Sequence, residues 1–144
     1  MMAANFTEGV DFAYVDNLYD FENLNTETLD YLFGNSYLLT VFFFTFVMFD
    51  VASGTFERSH MQYDLDRPLD RFGEPSLADM VQTAIEILNK DEDGYFLFVE
   101  GGRIDHAHHS NNAIRAMQDT VALSDAVQRA MDLTDSVTTS LSAV

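Results

Sequence analysis

Apolar and polar positions change period several times along the chain, and the clearest period lies in its middle. Leu77, Met80, Val81, Ala84, Ile85 and Leu88 fall at i, i+3, i+4, i+7, i+8 and i+11, which places them on one face of an α-helix. Ser76, with Asp79 three residues on, can cap its start; alternatively Pro75 takes the first helical position behind Glu74. Lys90 and the run Asp91-Glu92-Asp93-Gly94 close it. Tyr95 to Val99 is short and wholly apolar between polar turns, a pattern that predicts a strand buried on both faces in a parallel sheet. A second helical pattern runs from Ala107 to Met131, with Ala113, Met117, Thr120, Val121, Ser124, Val127 and Met131 on one side. Helix, buried strand, loop and helix in this order predict an α/β fold.

The first half is less regular. Residues 1–34 are polar and acidic, with Phe12-Ala13-Tyr14-Val15 as a candidate strand and a short helix expected before Phe33. From Tyr37 to Phe49 the chain carries no charge, yet a membrane-spanning helix needs about 20 apolar residues. The same run is long for a buried strand, and its β-branched and aromatic content favours aggregation when exposed. Residues 55–75 read as loop, punctuated by Pro68, Gly73 and Pro75.

Charge narrows the function. The 24 acidic residues against 7 basic ones give a net charge of -17. Such a chain offers no basic patch to neutralise nucleic-acid phosphates, so nucleic acid is excluded as a partner. There is no cysteine, so a metal would have to be held by oxygen and imidazole. The first residues lack the basic and apolar regions of a secretory signal.

Metal chemistry concentrates after the apolar strand. Glu100 stands at its carboxyl end, where ligands collect in open α/β sheets. Gly101-Gly102 permits a tight turn or a close approach to a ligand. Asp105 and His109 are four apart, so on a helix they share a face with β-carbons about 5–6 Å apart, within reach of one zinc ion. Glu100 offers the hard oxygen that suits magnesium. His106 and His108 remain, and one of them is available to orient a ligating carboxylate.

The run Phe98-Val99-Glu100-Gly101-Gly102-Arg103-Ile104-Asp105-His106-Ala107-His108-His109 resembles the metal-binding signature of alkaline phosphatases, V-E-G-G-R-I-D-H-G-H-H, departing from it only at Ala107. The resemblance implies that Glu100 ligates Mg2+ and that Asp105 and His109 ligate one of two catalytic Zn2+ ions. Phe56-Glu57-Arg58-Ser59-His60-Met61-Gln62-Tyr63-Asp64-Leu65-Asp66-Arg67 is similar to the family's L-F-E-P-S-H-M-Q-Y-E-L-D-R, with Arg58 in place of proline, and Glu74-Pro75-Ser76-Leu77 to its D/E-P-S-L. In animal members this stretch binds Ca2+, which carries over to the Phe56 carbonyl, Glu57 and Glu74.

By the same resemblance the fold is a piece of the alkaline-phosphatase-like α/β/α sandwich with a mostly parallel sheet. The activity is hydrolysis of phosphate monoesters through a phosphoserine. Members are typically homodimers, lipid-anchored on the extracellular face of the plasma membrane. No serine of this chain stands in the family's nucleophile context, so the chain is expected to carry metal ligands without a catalytic nucleophile and to be inactive alone. Residues 1–34 and 55–133 are expected to form a partial domain, and 134–144 a divergent tail. Joining Leu32-Phe33-Gly34 to Thr55-Phe56-Glu57 restores a run similar to the family's L-G-L-F-E, so 35–54 reads as a non-family insertion, a translated in-frame intron. Two other readings stand beside the enzyme fragment: a free-standing metal-binding module, and a membrane-associated interaction protein driven by the apolar run.

Overall fold

The computed structural model describes residues 12–29, 31–33, 41–44, 51–52, 56, 60–70, 73–92 and 94–134. Strand β1 (Phe12–Tyr14) is followed by helix α1 (Leu18–Glu22), strands β2 (Tyr31–Phe33), β3 (Val41–Phe44) and β4 (Val51–Ala52), and helix α2 (Leu77–Leu88). Strand β5 (Phe96–Val99) and helices α3 (Arg103–His109) and α4 (Ala113–Leu133) complete the order. The architecture is α/β. Strands β1, β2 and β4 form a parallel sheet in that order, with Phe12 opposite Tyr31 and Tyr31 opposite Val51.

Helix α2 begins where its sequence signals agree. The Ser76 hydroxyl accepts from the Asp79 amide at 3.1 Å, and the Asp79 carboxylate accepts from the Ser76 amide at 3.3 Å, a reciprocal cap. Of the two starts the sequence allowed, Ser76 is therefore the cap, with Pro75 just outside. The helix then serves two cores. Ile87 joins Val15, Phe21, Leu29 and Phe56 in one cluster. Val81 and Ile85 meet Ala126 and Ala130 of α4 in the other, with Leu97 and Val99 of β5 packed against them.

Strand β5 departs from expectation in direction and burial. It pairs antiparallel with β3, Val99 opposite Val41 and Phe96 opposite Phe44. Leu97 and Val99 turn toward the helices while Phe96 and Phe98 are exposed. Alternation along a strand sends successive side chains to opposite faces, and here the helices cover only one of them. An unbroken apolar run cannot by itself say which faces will be covered. Its partner comes from the charge-free run at 37–49; the rest of that run lies outside the described residues.

The helix expected from Ala107 to Met131 is two helices. Asn111 takes the left-handed conformation (φ 54°) after α3, and the Asn112 side chain accepts from the Arg115 amide at 3.2 Å to start α4. The buried face of α4 also differs. Ala116, Asp119, Ala126 and Ala130 are buried, whereas Met117, Val121 and Met131 of the expected face are exposed, Met117 by 70%. Small alanines let α4 lie close on α2, and this closeness outweighs the larger apolar side chains of the other face. No helix among the described residues is long and apolar enough to cross a membrane.

Candidate metal centre

The centre grows out of the turn between β5 and α3. A β-carbon on Gly101 would lie 3.2 Å from the Ile104 Cδ1 and 3.3 Å from the Leu123 Cδ2, so this glycine lets the turn sit against α4. Gly102 caps α3, and a β-carbon there would stand 3.8 Å from a Glu100 carboxylate oxygen, in ordinary contact. The glycine the packing requires is therefore Gly101. Ala107, which replaces the signature's second-half glycine, is fully buried on the covered face of α3.

Because α3 is helical from Arg103, Asp105 and His109 fall one turn apart on its outer face. The Asp105 Oδ2 lies 3.4 Å from the His109 Nε2, with the two side chains 72% and 79% exposed. An oxygen and a nitrogen this close and this free to move suit a zinc ion, which takes such donors at about 2.0–2.2 Å. The pair supplies two donors. Among the described residues, no three His, Asp or Glu side chains gather around one point. Glu100 is exposed at the end of β5, and His108 is exposed beyond it on α3.

His106 turns the other way. Its Nδ1 accepts from the Arg103 Nη1 at 3.0 Å, which leaves the proton of the neutral ring on Nε2, and the ring lies 4.2 Å from that of His60. Burial, then the neighbouring His60 and Arg103, lower its pKa. The Arg103 guanidinium in turn sits 3.7 Å over the ring of Tyr63, with Arg115 at 5.0 Å from the same ring. Arg115 bonds Asp66 at 2.8 Å, and Arg67 bonds Asp64 at 3.1 Å. These contacts tie the 60–67 loop to α3 and α4.

The residues expected to hold calcium divide. Glu74 is 1% exposed, its Oε2 accepting from the Gln62 amide at 2.9 Å and its carbonyl from Arg67 at 3.4 Å. Phe56 is buried with its ring edge-on to Phe21 at 5.6 Å. Glu57 lies outside the described residues. A carboxylate this deeply buried fits a cation-binding loop and equally fits a loop brace, since its hydrogen bond closes the 62–74 turn.

Sequence reasoning passed over Tyr63, Arg103, Arg115 and Asp119. Asp119 carried a signal: it shares the buried face of α4 with Ala116, Ala126 and Ala130, and a carboxylate on an otherwise small apolar face needs a partner.

The fold is α/β, and an oxygen–nitrogen pair stands just past a sheet strand. Comparison with known proteins supplies the family. A family model for alkaline phosphatase matches residues 48–144. The chain is 49% identical over 83 residues to a membrane-bound alkaline phosphatase of Bombyx mori, covering 58% of this chain and 15% of that protein. It is 46% identical over 87 residues to the tissue-nonspecific isozyme of Homo sapiens, covering 60% and 16%. With an alkaline phosphatase of Gadus morhua it shares 36% identity over 131 residues, covering 91% and 23%. The chain belongs to the alkaline phosphatase family. Its matches span less than a quarter of the length of these relatives.

Proposed function

We propose that this chain contributes metal ligands to the hydrolysis of phosphate monoesters, with Asp105 and His109 holding Zn2+, Glu100 holding Mg2+, and the Phe56 carbonyl, Glu57 and Glu74 holding Ca2+. The observation that carries the reading is the Asp105–His109 pair at 3.4 Å on α3, in a chain of this family. When bound, zinc would supply Lewis-acid stabilisation of charge on the phosphoryl group. What the chain itself does is place one oxygen and one nitrogen on a helix face left open to solvent, and hold that helix from behind through Arg103.

Two protein donors make a weak zinc site, because tight sites supply three or four. The nearest hydroxyl past α3, that of Ser110, donates to the carbonyls of His106 and Ala107 at 3.0 and 3.1 Å, so it closes the helix instead of serving as a nucleophile. The chain alone is accordingly an incomplete catalyst. In the assembled enzyme the reading extends to the α/β/α sandwich with a mostly parallel sheet, a homodimer, and attachment by a lipid anchor to the outside of the plasma membrane. The Bombyx mori relative, named membrane-bound, supports the last point.

We read residues 35–54 as a non-family insertion between 1–34 and 55–133 and 134–144 as a divergent tail; the family match over 48–144 takes in the end of the insertion and all of the tail. The segment supplies β3, which pairs antiparallel with β5 in a two-stranded sheet, and β4, which pairs parallel with β2 in the other sheet. Transcripts that mostly skip the segment are expected; retention in nearly all of them would end the intron idea.

Zinc titration of the chain with labelled histidines tests the metal reading. The His109 ring signals should move first, and Asp105→Asn should weaken the response by about tenfold or more. Zinc should also fall below one ion per chain on dialysis, and a chromogenic phosphomonoester should not turn over with zinc and magnesium added. A His109 that ignores zinc while His108 responds would overturn the assignment; full turnover would overturn the incompleteness.

A further inference from the structure

Between the 61–67 loop, the start of α2 and α4 lies a partly open pocket of about 50 Å3, lined by Gln62, Asp64, Arg67, Arg103 and Asp119 together with apolar side chains of the loop, α2 and α4. Two buried polar atoms on residues of this wall have no hydrogen-bond partner among the described residues: the Arg103 Nε and the Asp119 Oδ2. Asp119 is more than nine-tenths buried, and among the described residues its other carboxylate oxygen accepts from the Asp64 amide alone, at a long 3.5 Å. One of the two orphan groups is a donor and the other an acceptor. A buried polar atom left unsatisfied in a folded protein calls for a specific explanation, most often an ordered water. The pocket is several times the ~10–15 Å3 that one water requires, and within its largely apolar lining the two orphan atoms offer a water one donor and one acceptor.

We propose that an ordered water occupies this pocket, accepting from the Arg103 Nε–H and donating to the Asp119 Oδ2, and that Asp119 is thereby a positioning residue for Arg103. A water suits the site better than an ion. The arginines disfavour a cation, and the carboxylates of Asp64 and Asp119 disfavour an anion. The consequence reaches α3. Arg103 held from one side by the water and from below by the Tyr63 ring has its Nη1 fixed on the His106 Nδ1, so His106 keeps a single tautomer. This bridge does not depend on the metal reading, because its atoms and its test involve no metal.

Nuclear magnetic resonance of the whole 144-residue chain tests it. The Arg103 Nε–H should show a cross-peak to a long-lived water and should exchange with solvent about tenfold or more slowly than in free arginine. In Asp119→Leu the cross-peak should vanish, the exchange should accelerate, and the His106 nitrogen shifts should move toward a mixture of tautomers. Asp119→Asn, which still offers an acceptor oxygen, should restore the cross-peak. A parent chain with no such cross-peak overturns the proposal, as does an Asp119→Leu protein that keeps it, or one in which Arg103 is found bonded directly to the carboxylate. Should Asp119→Leu fail to fold, Asp119→Asn decides: a retained cross-peak supports the bridge and its loss overturns it.

Discussion

Arg103 lies with its guanidinium 3.7 Å over the ring of Tyr63, a contact that joins the loop before α2 to the first turn of α3. The two residues are forty positions apart, so the contact closes the chain over the whole of α2 and β5.

Tyr63→Leu should remove the stacking face and cost about 0.5–1 kcal/mol. Tyr63→Phe, which keeps the ring, should cost less. Urea midpoints of the two variants measure the difference, and equal losses would show that the ring face is not what holds Arg103.

Ile87 is fully buried between α2 and the cluster around Phe21 and Phe56. Ile87→Ala should cost about 2–5 kcal/mol through lost contact and the cavity left behind. A loss under 1 kcal/mol in chemical denaturation would mean that this cluster is not packed in solution.

The two faces of α4 should respond oppositely. Met117→Lys, on the open face, should change stability by less than about 0.5 kcal/mol. Ala126→Leu, on the face against α2, should cost about 1–3 kcal/mol by overpacking. Thermal midpoints in the reverse order would place the register of α4 wrongly.

Asp119 predicts a pH dependence. Burial raises its pKa, and the nearby Asp64 and Asp66 carboxylates add to this, against the Asp64 amide and the Arg103 charge. The folded chain therefore holds the proton more tightly than the unfolded one. The stability this contributes is complete below the ordinary carboxylate pKa and is lost as pH rises through the higher folded value. Asp119→Asn should accordingly gain on the parent as pH goes from about 3 to about 6, the range of ordinary and raised carboxylates. Urea midpoints across that range measure it, and a gap that narrows with rising pH would contradict the sign.

Much of this was legible in the sequence because it is local. The α2 period, its Ser76–Asp79 cap and the sharing of one helix face by Asp105 and His109 depend on residues within a turn or three of each other. The signature from Phe98 to His109 named the family, which the comparisons bear out. The break at Asn111 was also local, written in Ser110-Asn111-Asn112, yet the longer apolar period obscured it.

The sequence by itself determined the family, the helical period of α2 with two possible starts, and which side chains are candidates for metal chemistry. Tertiary structure alone decided that β5 pairs with β3 and runs antiparallel, that α4 buries its alanines and Asp119 in preference to its methionines, and that Arg103 meets Tyr63, His106 and the pocket beside Asp119. The physical reason is that periodicity reports the composition of a face but not its neighbour. A row of alanines wins over bulkier side chains only when another helix is close enough to reward the small face, and that closeness is a property of two elements together. The same holds for the pair this fold places on its surface: Asp105 and His109 share a face because helices turn every 3.6 residues, but what holds that helix in place comes from forty residues away.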